Sequence, residues 1–163
     1  MKRYCLYLFI LIGISCSAEL KAQRNGTVYK GNDPAVRYTG RTLVSSDGSV
    51  AFDWVGTYLE TRFTGGRLSV KVSETGTSYY NVFVDGKLHK VVKVCGTDTL
   101  IHLVSGIDKR IHSLKIQKRS EGEFGKTTIH QFVLSGSGRL AEEPAVRTRH
   151  IEFIGNSLTC GYG

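Results

Sequence analysis

A serine near the C-terminal end of the sequence stands in a setting that suits a nucleophile. His150 to Ile154 form a short, mostly apolar strand-like run, and Gly155-Asn156 then turn the chain to present Ser157. A serine in such a position can attack an ester carbonyl when a base, an oxyanion hole and a leaving-group acid surround it. The sequence stops six residues later, at Gly163. We therefore expect that this chain alone lacks the partners that Ser157 needs.

The base for such a serine is most often a histidine, and the sequence contains five. Those in alternating, strand-like segments are His89, His102, His112 and His130. His150 lies at the far end of the strand that leads to Ser157, and a strand of this length spans about 13–17 Å. It cannot reach the serine hydroxyl unless the chain reverses. We interpret all five as polar strand residues, so the sequence offers no base for Ser157.

The N-terminus predicts export. Lys2 and Arg3 precede an apolar run from Tyr4 to Ser15, which is too short for a membrane span and suits the core of a signal peptide. We predict a signal peptide over residues 1–22. A lipoprotein signal with acylated Cys16 is the alternative, although Gly13 fits that pattern poorly. Either way the mature protein is expected to be secreted or periplasmic.

Charge and cysteines narrow the function classes. The formal net charge is +8, but lysines and arginines are scattered singly with no dense basic run, so nucleic acid is not an expected partner. Weak attraction to acidic polysaccharide remains open.

Of the four cysteines, Cys95 and Cys160 lie outside the signal region and either form a disulfide or stay unpaired. No metal-ligand spacing occurs, so neither metal nor cofactor is predicted.

The body of the chain predicts an all-β domain. Leu68, Val70 and Val72 alternate with polar residues, and Asp85-Gly86 is a strong two-residue hairpin signal. Eight or nine short strands, separated by turns at residues that include Gly66, Gly96 and Gly106, predict a jelly-roll β-sandwich over residues 30–136. Residues 137–149 are predicted as a linker, and 150–163 as the first strand of a truncated α/β domain.

Several aromatic residues are candidates for a sugar-stacking surface on the sandwich, or else belong to its core: Trp54, Tyr58, Tyr79, Tyr80 and Phe83. We single out Trp54 and Tyr79 as the candidate substrate-binding residues. Neighbours along a strand point to opposite faces, so Tyr79 and Tyr80 cannot both belong to one flat platform.

Four motifs, in this order, give the sequence a resemblance to carbohydrate esterase family 2. They are Tyr38-Thr-Gly-Arg41, Phe63-Thr-Gly-Gly-Arg-Leu-Ser-Val-Lys71, Tyr80-Asn-Val-Phe-Val-Asp-Gly86 and Ile151-Glu-Phe-Ile-Gly-Asn-Ser-Leu-Thr-Cys-Gly-Tyr-Gly163. The resemblance implies an N-terminal jelly roll followed by an SGNH-type hydrolase domain. It also implies a deacetylase of plant polysaccharide that acts without a cofactor.

The resemblance implies roles for three residues near the end of the chain. Ser157 would be the nucleophile, and its backbone N–H one oxyanion donor. Gly155 would allow a sharp exit from the strand, because it has no Cβ. Asn156 stands where the family usually has aspartate, so it keeps an acceptor oxygen but carries no charge. The family's catalytic histidine belongs to a later block, and no residue here matches it.

These observations leave three hypotheses. In the first, the chain is the N-terminal portion of a secreted polysaccharide deacetylase. Hydrolysis of an acetyl ester that depends on Ser157 is the activity that tests this hypothesis. Alternatively the chain is a stand-alone β-sandwich that binds carbohydrate or another partner. A third hypothesis is a non-functional remnant with an exposed apolar terminal strand. The family resemblance favours the first.

Overall fold

The computed structural model describes residues 26–141, 148–149, 151, 153–156 and 159. The predicted signal peptide, Ser157 and Cys160 lie outside these residues. The described part is all-β, and none of its helices is long and apolar enough to span a membrane. Its elements are β1 (Gly26–Lys30), β2 (Val36–Thr39), β3 (Leu43–Val44), β4 (Val50–Phe52), β5 (Tyr58–Val84), β6 (Lys87–Lys118), a 3-10 turn (Gly122–Phe124) and β7 (Thr127–Ser135).

Two of these strands are much longer than the sequence pattern predicts. β5 has 27 residues and β6 has 32, and most of the predicted short strands are segments of these two. Gly66, Gly96 and Gly106 were predicted to lie in turns, but they have positive φ within the long strands. Because backbone pairing resumes after each of these glycines, the strand bends there and does not end.

The bends let β5 and β6 contribute to both layers of a jelly-roll sandwich, so the predicted fold class is confirmed. In the first layer, β2 pairs with residues 58–61, residues 58–64 pair with 111–117, and residues 80–84 lie between 114–118 and 87–92. In the second layer, residues 66–72 pair with 99–107, and residues 68–74 pair with β7. β7 also pairs with β1 and β4, and β3 completes that side.

The core lies between the layers and follows the predicted alternation. Leu68, Val70 and Val72 are buried as expected, and so are Tyr80 and Val82. The core aromatic contacts join Tyr38 to Phe52 and Phe52 to Tyr80, each at 6.3 Å between ring centroids. The contact of Phe52 with Tyr80 is edge-to-face, a geometry that adds to the stability that burial itself provides.

The hairpin between β5 and β6 forms at the predicted dipeptide. Asp85 and Gly86 have φ values of 51° and 75°, and Val84 pairs with Lys87 across them. Two consecutive positive φ values give the turn whose twist matches that of the flanking strands. The turn therefore fixes which side chains of residues 79–83 face outward.

Residues 139–141, at the start of the predicted linker, pack on the first layer. The Thr64 N–H donates to the Arg139 carbonyl at 2.9 Å, and the Ala141 N–H donates to the Arg62 carbonyl at 2.7 Å. Leu140 is buried and bridges to Phe63. The start of the predicted linker is therefore part of the sandwich up to Ala141, beside Arg62. The domain boundaries themselves stay a prediction.

Candidate functional site

The turn predicted to present the nucleophile is described at three of its residues. The Thr159 N–H donates to the Asn156 carbonyl at 3.0 Å, a hydrogen bond between residues i and i+3 that is typical of a β-turn. A Cβ on Gly155 would collide with the Thr159 hydroxyl, so this backbone path requires glycine. Ser157 itself lies outside the described residues, and its role as nucleophile stays a prediction.

The apolar residues before this turn are almost fully exposed. Ile151, Phe153 and Ile154 are 82%, 81% and 91% exposed, and none is assigned to a strand. A strand needs a neighbour with which to share backbone hydrogen bonds, and none of the strands in the described part pairs with this segment. An apolar run of this kind is typical of a segment that packs against further chain.

His112 is the titratable residue with the most distinctive surroundings. It is 1% exposed, and its Nδ1 lies 2.8 Å from Asp85 Oδ2 while its Nε2 lies 2.9 Å from Asp108 Oδ1. Both ring nitrogens can donate only in the imidazolium. Burial lowers the pKa of His112, but the two aspartate hydrogen bonds and charges outweigh burial, and the pKa is raised above its usual 6.5.

The two aspartates respond in the opposite direction. The hydrogen bond with His112, followed by the Ser113 N–H, lowers the pKa of Asp85. The Arg110 N–H is the main cause that lowers the pKa of Asp108. His112 thus holds together the hairpin residue Asp85 and Asp108, an earlier residue of β6, which is a structural role. Both aspartates are partly exposed to solvent, so this link is screened.

A second polar cluster is buried at the other end of the same sheet. Lys118 donates from Nζ to Ser78 Oγ and to the Gly125 carbonyl, each at 2.8 Å. Nearby, the Thr127 hydroxyl donates to the buried carboxylate of Glu74 and also contacts the Tyr80 hydroxyl. Burial lowers the pKa of Lys118, against the opposing charges of Glu74 and Asp53. These partners satisfy the buried polar atoms of the cluster, which is a structural role.

The aromatic candidates are divided between the core and the surface. Tyr80 is 2% exposed and Tyr79 is 46% exposed, which confirms that they face opposite sides. Trp54 is 62% exposed, and the guanidinium carbon of Arg41 lies 5.7 Å from its ring centroid. No ring contact joins Trp54 to Tyr79 among the aromatic pairs of the described residues.

An open cleft of about 370 Å³ lies on the outer face of the first layer. Strand register brings its side chains together from three segments: Glu60 lies opposite Lys115, and Lys115 lies opposite Phe83 on its other side. The Lys115 ammonium lies 3.9 Å from the centroid of the Tyr58 ring. The cleft is lined by Glu60, Thr61, Arg62, Phe83, Gly86, Ser113, Leu114 and Lys115.

The structure therefore separates the candidates that the sequence suggested. Tyr58, Tyr79 and Phe83 share the outer face of the first layer, because their neighbours Leu59, Tyr80 and Val82 point into the core.

Cys95 is exposed and unpaired within the described part of the chain, and Cys160 lies outside it. In residues 26–141 and the few described beyond them, no group of His, Cys, Asp and Glu could hold a metal ion.

Sequence reasoning missed two features that its own alternation pattern contained. His112 and Lys118 fall on the same inward-facing positions of β6 as Leu114 and Ile116, so period two already places them in the core. Sequence reasoning also missed the pairing of Lys115 with Phe83, which depends on how β5 and β6 bend. No local signal indicates that pairing, because the two residues are 32 positions apart in the chain.

Comparison with known sequences identifies the fold's relatives. Residues 38–144 match the family profile described as "Carbohydrate esterase 2 N-terminal". The chain is 34% identical over 132 residues to the cellulase/esterase CelE of Acetivibrio thermocellus, covering 81% of this chain and 16% of that protein. It is 30% identical over 131 residues to an acetylxylan esterase/glucomannan deacetylase of Cellvibrio japonicus, covering 80% of this chain and 36% of that protein.

Solved structures with a similar fold come from the same family. A family two carbohydrate esterase from Cellvibrio japonicus superposes with a TM-score of 0.72 at 27% identity, covering 84% of this chain and 41% of that chain. One from Clostridium thermocellum, in complex with cellohexaose, gives a TM-score of 0.70 at 34% identity, covering 78% and 39%. The chain thus spans well under two thirds of the length of these relatives.

Proposed function

We propose, since this chain belongs to carbohydrate esterase family 2 by its N-terminal domain, that it is the N-terminal portion of a secreted esterase that removes O-acetyl groups from plant polysaccharide. The observation that carries the proposal is the succession of a family-matching sandwich over residues 38–144 and the Gly155-Asn156-Ser157 motif. Curated relatives over the same region are named as esterases and as an acetylxylan esterase. Export through residues 1–22 is part of this proposal.

In the proposed reaction, Ser157 Oγ attacks the carbonyl carbon of an acetyl ester on the polysaccharide. The serine proton passes to a base, the bond between the acetyl carbon and the sugar oxygen breaks, and that oxygen takes up a proton. Water then attacks the acetyl-serine ester and releases acetate. The backbone N–H of Ser157 would donate to the oxyanion. Gly155 supports this role through the close Thr159 contact that only a glycine permits.

The base is expected from outside this chain. His112 is engaged on both ring nitrogens by Asp85 and Asp108, and it is buried. His102 and His130 bind Ser69 and Ser73 on the sandwich at 2.8 Å. His89 lies on the exposed edge of β6. We therefore expect the 163-residue chain itself to show no turnover of acetyl esters.

The first experiment is the intact mass of the mature protein from its native source. A species heavier than this chain by about 150–200 residues supports the proposal, because that is the size of a further domain. That species should release acetate from acetylated xylan and lose the activity on Ser157→Ala. The matched control is Ser105→Ala, an exposed serine in a bend of β6, which should leave the activity intact. A mass equal to the chain after signal removal contradicts the proposal.

The second candidate function is a stand-alone carbohydrate-binding module. The exposed Trp54 and the open cleft on the first layer favour it. Saturable binding of xylan or glucomannan to the purified chain, weakened by Trp54→Ala or Tyr79→Ala without loss of fold, would support it. The absence of binding across a panel of neutral and acidic polysaccharides contradicts it.

A further inference from the structure

Two cations on the outer face of the first layer have no carboxylate partner among the described residues. They are Arg62 and Lys115, and both line the cleft. Glu60, the carboxylate among the lining residues, lies 2.7 Å from Arg37. Asp85, which precedes the lining residue Gly86, binds His112 and the Ser113 N–H. The cleft therefore presents uncompensated positive charge.

The strand register places these two cations where they can act together. Arg62 is opposite Ser113, and Lys115 lies two residues further along the same strand. Diagonal neighbours of this kind are about 7–8 Å apart at the backbone. The Lys115 ammonium now lies 3.9 Å from the centroid of the Tyr58 ring, so it must turn from that ring toward Arg62 for both cations to meet at one anion. Charge-assisted hydrogen bonds to a carboxylate are stronger than neutral ones, which favours that movement when an anion binds.

The rest of the cleft suits a sugar ring. Phe83 lies opposite Lys115 and is half-buried, so part of its ring remains available to the apolar face of a pyranose. Glu60 and Ser113 offer an acceptor and a hydroxyl to sugar hydroxyl groups. The volume of about 370 Å³ falls within the range of small-molecule sites, which begins near 300 Å³.

We propose that this cleft binds a uronic acid residue of an acidic polysaccharide, with Arg62 and Lys115 holding the carboxylate and Phe83 contacting the ring. The choice of a glycan rests on the proposed function, whereas the choice of an acidic sugar rests on the two cations. The Ala141 N–H donates to the carbonyl of the cleft residue Arg62, so residues 139–141 pack beside the strand segment that carries the cleft. A bound uronate would thus hold the polysaccharide beside residues 139–141.

The test compares two xylo-oligosaccharides that differ only in one glucuronic acid branch, titrated calorimetrically into the purified full chain. We expect saturable binding of the branched oligosaccharide and at least about tenfold weaker binding of the neutral one. Arg62→Gln with Lys115→Gln should weaken binding of the branched form by a similar factor. The control is Lys93→Gln with Lys126→Gln, which removes the same charge from exposed positions outside the cleft and should change affinity less than about twofold.

Four results would overturn the site. Equal binding of both oligosaccharides would mean that the carboxylate is not recognised. An equal loss in the control variant would mean that net charge alone attracts the glycan. If the folded chain shows no saturable binding of either oligosaccharide, the cleft is not a uronate-binding site. Binding by this chain but not by a longer native protein would show that further chain covers the cleft.

These outcomes are independent of the esterase proposal, which depends on the native mass and on Ser157. A chain that fails to bind the uronate can still belong to an active esterase. Conversely, uronate binding can persist in a Ser157→Ala variant that has lost all hydrolysis.

Discussion

The Nδ1 atom of His112 lies 2.8 Å from Oδ2 of Asp85, so a buried imidazole late in β6 holds the hairpin that begins the same strand. The two residues are 27 positions apart. The second ring nitrogen binds Asp108, and both contacts require the imidazolium. The charge state of one core residue therefore bears on the stability of the hairpin and of the cleft beside it.

The His112 link predicts a loss of stability at alkaline pH. The pKa of His112 is raised in the folded protein, so the protonated form stabilises the fold. This contribution is fully present below the unfolded pKa near 6.5 and is lost as pH rises through the higher folded pKa. Urea denaturation of the wild type between pH 5 and pH 9 should show the decrease.

His112→Gln should remove that pH dependence and cost about 1–2 kcal/mol at pH 6, because charged hydrogen bonds are lost and both aspartates remain solvated. A wild-type decrease that persists unchanged in the variant would contradict the assignment.

A second prediction concerns the aspartate partner. Asp85→Asn keeps a residue that tolerates positive φ in the turn but removes the charge that faces His112. The pKa of His112, followed by NMR, should fall toward its ordinary range. Asp98→Asn is the matched control, since Asp98 also has a positive φ, of 53°, and lies beside His130 and Lys71 instead. An equal fall in both variants would mean that the effect is not local.

Acidic pH should weaken the contacts of His112 by protonating its two aspartate partners, Asp85 and Asp108. The pKa values of Asp85 and Asp108 are lowered, so their contribution is present above the ordinary value of 3.8 and is lost as pH falls through the folded values. Thermal unfolding midpoints of the wild type and of Asp85→Asn should therefore converge between about pH 4 and pH 2. A constant difference over that interval would contradict the prediction.

The bend in β5 predicts different costs for two glycine substitutions. Gly66 and Gly86 have φ values of 85° and 75°, so alanine at either position is strained by about 1–2 kcal/mol. At Gly86 a Cβ meets nothing within 4 Å, whereas at Gly66 it would collide with the Ser135 carbonyl. Gly66→Ala should therefore lower the free energy of unfolding clearly more than Gly86→Ala. Equal values in denaturant titrations would show that the Ser135 contact is not limiting.

The packing of residues 139–141 should protect them from limited proteolysis. Trypsin should cut at the exposed Arg149 before Arg139, because the carbonyl of Arg139 accepts from Thr64 and Leu140 is buried. Mass spectrometry of the first stable fragment locates the cut. A first cut at Arg139 would mean that these residues detach readily from the sandwich.

Local rules explain what could be predicted about the fold. Period-two alternation predicts that Leu68, Val70 and Val72 share a buried face, since successive side chains in a strand point to opposite sides. Asp85-Gly86 predicts the hairpin, because few residue types adopt its two positive φ values. The family resemblance rests equally on local motifs, and the profile match over residues 38–144 confirms it.

The number of strands could not be predicted in this way. Gly66 looks like a turn in the sequence, but whether a strand ends or bends at a glycine depends on which strands lie on either side of it. That choice is made by hydrogen-bond partners that are distant in the chain.

The sequence by itself determined the all-β class, the inward positions of the core and the motif that surrounds Ser157, because each depends on neighbours a few residues away. The tertiary structure alone decided that His112 meets Asp85 and Asp108, and that Arg62, Lys115 and Phe83 line one cleft. These groups come from strand segments brought side by side by the bends in β5 and β6. Long-range register of this kind is set by the packing of the whole sandwich, and no local pattern encodes it.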